Sequence, residues 1–217
     1  MKKILFTLLI VAGLLASCKG DKKVKTSNSK KVETVKNTDT SVFQTIEKSS
    51  KLEWRAAHLG GVNERLGSFS LQDAKTLVND GKLTNAIFNI AMSSITVTSI
   101  SDTKQNNDLT KHLKSADFFD IENNPVTTFE MTAIKETEGN YNNRITGNLI
   151  IKGVSKNISF NANVMVNDTD VSIVSEPFSV NRQDWGLSYH SEGEVGIPKD
   201  YLIADAIGFK IAIKLTK

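Results

Sequence analysis

Beyond Leu52 the chain alternates. Ile158, Phe160, Ala162, Val164 and Val166 interleave with Asn157, Ser159, Asn161, Asn163 and Met165, which predicts a strand with one apolar and one polar face. Ile207, Phe209, Ile211, Ile213 and Leu215 repeat the pattern, as do Ile145, Gly147, Leu149 and Ile151, and Ala86, Phe88, Ile90 and Met92. Weaker alternation predicts strands over 52–58, 65–71, 126–134 and 171–181. Asn79-Asp80-Gly81 and Glu138-Gly139-Asn140 carry turn chemistry, and Gly153 and Asn167-Asp168 mark two further strand ends. The result is an all-β chain of eight strands, paired antiparallel in sequence through short connections. Such strands either stack as a sandwich or close into a barrel, and closure removes the exposed edges.

The apolar positions mix small residues (Ala56, Ala86, Gly147, Ala162, Val164) with large ones spread over different strands (Trp54, Phe88, Phe129, Phe160, Phe209). That mixture lines a slot for an elongated ligand or packs a tapered core, and the pattern leaves both open.

One stretch, Asp108 to Phe129, breaks the alternation. Asp108 is a predicted helix N-cap. Leu109, His112, Leu113 and Ala116 follow at one face of a short helix near 109–116. Phe118 and Phe119 then stand side by side as a plug for one end of the sheet structure, and Pro125 marks entry into the next strand.

The N-terminus has a different composition. Lys2 and Lys3 precede an apolar run from Ile4 to Ala16 that is too short to span a bilayer comfortably. The run ends at Leu15-Ala16-Ser17-Cys18, a small-residue cleavage site beside the chain's single cysteine. This resembles a bacterial lipobox, so residues 1–17 are expected to be a lipoprotein signal peptide and Cys18 the lipidated N-terminus. Residues 18–50 are rich in Lys, Ser, Thr and Asn, with Phe43 their only aromatic, and are expected to form a disordered tether ahead of a barrel domain at 51–217.

The formal charge of +3 conceals two halves of opposite sign. Lys19 to Lys51 holds nine lysines against four acids, whereas the chain from Leu52 holds 16 basic and 20 acidic residues. The basic tether is either a solvated spacer or a strip that lies along anionic lipid. The acidic body has no basic stripe interleaved with aromatics, so nucleic acid is not an expected partner. Enzyme signatures are weak. His58, His112 and His190 lack metal-ligand spacing, Ser101-Asp102-Thr103-Lys104 and Ser27-Asn28-Ser29-Lys30 match a Ser-x-x-Lys pattern without companion motifs, and no phosphate or dinucleotide loop occurs.

Four ordered blocks carry a resemblance. The first is Ser99-Ile100, Asp108, His112-Leu113-Lys114-Ser115, Asp117-Phe118-Phe119-Asp120, Pro125 and Phe129; the second is Thr146 to Lys156 (TGNLIIKGVSK). The third is Asn181 to Leu187 (NRQDWGL), and the opening strands supply Trp54, His58 and Gly67-Ser68-Phe69. Together, over roughly residues 50–217, they resemble the YceI-like polyisoprenoid-binding family. The chain departs from it in having two extra residues between Asp108 and His112, and Asn107 where a basic residue is usual.

The resemblance implies a lipocalin-like, eight-stranded antiparallel barrel with a buried tunnel for a polyprenyl lipid or a quinone tail, no catalytic cofactor and no metal. It also makes a homodimer plausible. The expected lining is Trp54, Phe88, Ile90, Leu113, Phe118, Phe119, Phe129, Leu149, Phe160, Trp185 and Phe209. His58 shares a predicted strand face with Trp54 and is either a head-group contact or a hydrogen-bonded core residue. His112 is expected either to line the ligand space or to brace the loop after the helix together with Asp120. Arg182 and Asp184, two apart on a predicted strand face, are expected to pair with each other or meet a polar head at the mouth. The expected role is a membrane-tethered carrier or sequestering protein of the cell envelope, periplasm-facing or attached to the outer membrane. The rivals are an interaction lipoprotein with a filled core and, less favoured, a lipid-acting enzyme using His58 or His112 as base.

Overall fold

The computed structural model describes residues 21–32 and 40–217. The expected signal peptide and Cys18 lie outside the described residues. In chain order the strands are β1 (Lys22–Lys23), β2 (Ser27–Asn28), β3 (Thr40–Phe43), β4 (Thr45–Ile46), β5 (Lys51–Ala56), β6 (Arg65–Asn79) and β7 (Lys82–Val97). Helix α1 (Thr103–Lys114) follows. The chain continues through β8 (Val126–Glu136), β9 (Asn143–Ile151), β10 (Val154–Val166), β11 (Asp170–Ser175), β12 (Phe178–Asn181) and β13 (Ala206–Thr216).

The sheet closes. Sequential antiparallel pairs run from β5 to β11, β11 and β12 both pair with β13, and β13 returns to β5. The eight predicted strands are all present, with β11 and β12 sharing one course. Barrel closure, one of the two options the pattern allowed, pairs the strands around the circuit except where β10 and β12 part. Two sharp connections follow from residues that tolerate positive φ: Asp80-Gly81 (φ 50 and 70) joins β6 to β7, and Lys152-Gly153 (φ 47 and 73) joins β9 to β10. Register shifts between Ser68 and Ser70, and between Leu71 and Asp73, coil the long strand β6 around the barrel.

The helix is longer than expected and starts earlier. Its N-cap is Asp102, whose carboxylate accepts from Gln105 N at 2.8 Å. Asp108 sits within the helix, paired with Lys104 at 2.8 Å. Leu109 and Leu113 still point to the barrel, and Ser115 closes the last turn by donating from N and Oγ to His112 O. Asp102→Ala is expected to cost about 1 kcal/mol, the usual worth of such a cap. A urea titration checks it: the midpoint falls and the slope stays unchanged.

The tether also differs from expectation. Residues 21–32 and 40–50 are ordered against the barrel. Strands β10 and β12 diverge at Glu176-Pro177, which leaves one edge of each unpaired. The N-terminal segment fills that gap, with β1 parallel to β12 and β2 antiparallel to β10. Side chains fasten it. Asp21 pairs with Arg55 at 2.6 Å and Lys22 with Glu176 at 3.1 Å. Thr26 donates to Asp184 at 2.7 Å. The buried Asn148 amide accepts from Lys30 N (2.9 Å) and donates to Lys30 O (2.7 Å). Further on, β3 pairs with β6 and buries Phe43 to 1% exposure at the base of the barrel. Composition suggested disorder because this segment has few apolar anchors. Unsatisfied strand edges supply the order instead.

Candidate functional site

Inward-facing side chains form one apolar interior, and five of them make a girdle. Phe88 on β7 stacks on Phe129 of β8 (6.3 Å between ring centroids), and Phe129 meets Phe160 of β10 at 5.7 Å. Phe160 stacks on Phe178 of β12 at 4.7 Å, and Phe178 meets Phe209 of β13 at 5.9 Å. The girdle skips β9. There Gly147 stands, and a Cβ on it would meet the Phe129 ring and, at 2.7 Å, the Glu130 carbonyl. Gly147 is therefore the space into which the Phe129 ring fits.

The girdle surrounds a cavity. Its wall includes Phe88, Ile90, Phe129, Leu149, Phe160, Phe209 and Phe119, all expected, together with Leu52, Phe69, Met131, Phe178 and Ile211. Glu53 and Thr127 are the only polar residues on it. The empty space between wall atoms, open mouth included, is about 940 Å³. The closely spaced rings of the girdle keep it thin. Its wall runs from Ala86 to Met92 along β7, about 20 Å of strand. Such a space has too few polar partners to hold ordered water.

Below the girdle the core is solid. Phe43, Val171 and Leu215 are each at most 1% exposed, and they close the base. Above it lies the helix end, with a second cluster of Trp54, Ile95, Val97, Leu113 and Phe118. The adjacent Phe pair divides its work. Phe118 belongs to this upper cluster, edge-on to His112 at 5.1 Å and tilted against Tyr189 at 5.3 Å. Phe119 reaches the cavity and meets Phe69 edge-on at 6.1 Å. The loop carrying them is held by Asp120 (φ 47), whose N donates to Ser115 O and whose carboxylate accepts from Asn123 at 3.0 Å.

Several expected lining residues lie elsewhere. Trp54 and Leu113 pack above the cavity in the helix cluster, and the Trp54 ring occupies the space beside Gly67. His58 is past the end of β5. Its ring Nδ1 lies 2.6 Å from Asp200 O, and it borders a separate groove under α1 with Trp54, Leu113 and Phe118. His112 contacts Phe118, Tyr189 and Asp117 (3.2 Å) and stays outside the cavity. Trp185 is 1% exposed and donates to Leu149 O at 2.9 Å, as core packing behind the wall.

Arg182 and Asp184 do not pair. They belong to a 3-10 turn, Arg182–Trp185, where successive side chains diverge instead of sharing a strand face. Asp184 takes the Thr26 hydroxyl. Arg182 is 1% exposed, and its guanidinium donates to four carbonyls: Leu187 (2.7 Å), Tyr189 (2.9 Å), Ile203 (3.1 Å) and Ala204 (3.3 Å). Asp205 stands 3.6 Å away. Burial pulls this guanidinium's pKa down, against the opposing pull of Asp205, Glu192 and Glu194. It ties the loop 186–205 to the rim. Phe178, which the sequence analysis did not single out, completes the girdle between Phe160 and Phe209.

A model described as the YceI-like domain matches residues 43–215. The chain belongs to the YceI-like family. A UPF0312 protein of Staphylococcus aureus (strain N315) is 30% identical over 155 residues, covering 68% of this chain and 82% of the relative. A UPF0312 protein of Pseudomonas paraeruginosa is 30% identical over 125 residues, and the chain spans only 58% of that relative's length. Among solved structures, Burkholderia cenocepacia BcnA superposes with a TM-score of 0.58 at 21% identity, covering 77% of this chain and 96% of that one. A polyisoprenoid binding domain from Saccharophagus degradans gives 0.58 at 13% identity, covering 80% and 97%. At these identities the likeness is one of fold, and it agrees with the closed eight-stranded barrel of this YceI-like protein.

Proposed function

We propose that this YceI-like protein binds one long isoprenoid chain in the girdled cavity. It acts as a non-enzymatic carrier or sequestering protein, held in the cell envelope by lipid on Cys18. The observation that carries the reading is the cavity itself, which is thin, long and apolar, and has two polar residues on its wall. A prenyl tail buried there gains about 25 cal/mol per Å² of apolar surface removed from water. Ring faces and edges contact a methyl-branched chain along its length. The fold likeness to a domain described as polyisoprenoid binding points the same way.

The catalytic alternative has less support. An enzyme acting inside the barrel needs an acid or base within reach of the bound lipid. His58 and His112 both lie outside the cavity, and Glu53, the one acid on its wall, is an exposed residue of β5 that alternates with the inward-facing Leu52 and Trp54. Thermal melting in the presence of undecaprenol or a menaquinone tests the reading. The midpoint is expected to climb with ligand concentration, as mass action requires for a ligand of the native state. A midpoint that does not move with any prenyl lipid overturns it.

A further inference from the structure

Three of the four most exposed large apolar residues lie on two touching loops at the helix end of the barrel. Val195 is 95% exposed, Tyr201 62% and Val62 54%. The fourth, Met165 at 59%, sits at the opposite end, where β10 finishes. The two loops are joined by backbone: Leu59 N donates to Leu202 O and Ala204 N to Ala57 O, with His58 and Ile203 bridged antiparallel between them. Leu66, 40% exposed, pairs with Arg55 just below them. Single exposed apolar residues are ordinary; a cluster on adjoining tips marks an interaction surface.

The chain also enters at this corner. Asp21 docks on Arg55 and approaches Gly208, which is the register partner of Arg55. Only Lys19 and Gly20 separate Asp21 from Cys18. Three residue steps reach at most about 11 Å. An anchor on Cys18 therefore holds the Arg55 corner against whatever the anchor enters. The ordered N-terminal segment removes the long leash that would otherwise let the barrel swing away.

We infer that the tips carrying Val62, Val195 and Tyr201, with Leu66 beside them, insert into the interface of a phospholipid bilayer and set the helix end of the barrel on the membrane. The inference rests on the anchored carrier reading above and deepens it. Aliphatic and tyrosine side chains suit the headgroup boundary, where one end of the ring is apolar and the other wet. The two loops carry Glu64, Glu192, Glu194, Asp200 and Asp205 against Arg65 and Lys199, so they are net acidic and are not drawn to anionic lipid by charge. Apolar contact therefore drives the docking against a mildly unfavourable charge, and added salt is expected to favour it by screening the repulsion from anionic lipid. Phe119 closes the cavity at this same end. A prenyl chain then passes between bilayer and barrel without crossing bulk water.

The test places an environment-sensitive dye on Val195→Cys or on Met165→Cys in the lipoprotein as purified, reconstituted on vesicles of phosphatidylethanolamine and phosphatidylglycerol. The expected result is a blue shift and quenching by spin-labelled lipid at position 195, and neither at 165. Adding Val62→Glu and Tyr201→Glu is expected to abolish the shift at 195. All these sites are exposed, so the fold survives. Equal water exposure at the two positions, or failure of the protein to stay with the vesicles, overturns the inference. No isoprenoid is present in this experiment, so its failure leaves the ligand reading standing, and loss of the ligand reading leaves the docking result intact.

Discussion

Arg182→Ala is expected to destabilise the protein by about 3–5 kcal/mol, the range for removing one member of a buried charged network. The guanidinium serves four carbonyls of the loop that follows β12. Alanine leaves those acceptors dry and unpaired, removes the cation facing Asp205, and opens a void at a site 1% exposed. Each buried acceptor left without a donor costs on the order of 1–3 kcal/mol, with partial relief from water entering. In a domain of this size the loss corresponds to a drop in melting temperature of roughly 10 °C. Arg182→Lys is expected to restore little, because a single ammonium cannot reach carbonyls spread over Leu187, Tyr189, Ile203 and Ala204. Calorimetry of the three proteins measures this. A variant within 1 °C of the parent contradicts the assigned role.

Gly147→Leu is expected to empty the cavity of ligand. The new side chain must enter the space held by the Phe129 ring and the Glu130 carbonyl. Overpacking of this kind costs about 1–3 kcal/mol in stability, and the displaced ring moves into a cavity that is already thin. Affinity for a prenyl chain is expected to fall at least about tenfold, equivalent to 1.4 kcal/mol. Gly147→Ala is expected to do the same more weakly. Both variants remain folded because the girdle's other contacts persist. Co-purified lipid per folded barrel, read by native mass spectrometry, measures the effect. Undiminished occupancy in a folded Gly147→Leu protein would show that the ligand lies elsewhere.

How far the sequence anticipated this site depends on where strand parity holds. Phe88, Phe129, Phe160 and Phe209 were legible because each lies in an unbroken alternating strand, and period two assigns a face. Phe178 was not. Val171, Ile173 and Ser175 face inward, so an unbroken strand would turn residue 177 inward and Phe178 outward. The break at Glu176-Pro177 shifts the phase by one residue and carries Phe178 inside. The same logic undid Arg182 and Asp184, which were placed two apart on a strand that had already become a 3-10 turn. His58 failed similarly, since β5 ends at Ala56 and leaves His58 in the following loop. The ordered N-terminal segment left little trace. Among its described residues only Val24 and Phe43 are strongly buried apolar ones, and backbone pairing, which no side-chain pattern reports, does most of the fastening. The early helix start was readable from Asp102 ahead of Gln105, a capping-box spacing. Asp108 attracted the assignment because it immediately precedes the apolar face of Leu109, His112, Leu113 and Ala116.

The central claim is that the cavity holds an isoprenoid chain. Native mass spectrometry of the protein purified from its own host, followed by organic extraction and lipid identification, tests it most directly. The expected result is one long prenyl lipid or prenylated quinone per barrel, lost on Gly147→Leu. A barrel that emerges empty from its host, with no prenyl lipid in the extract, contradicts it.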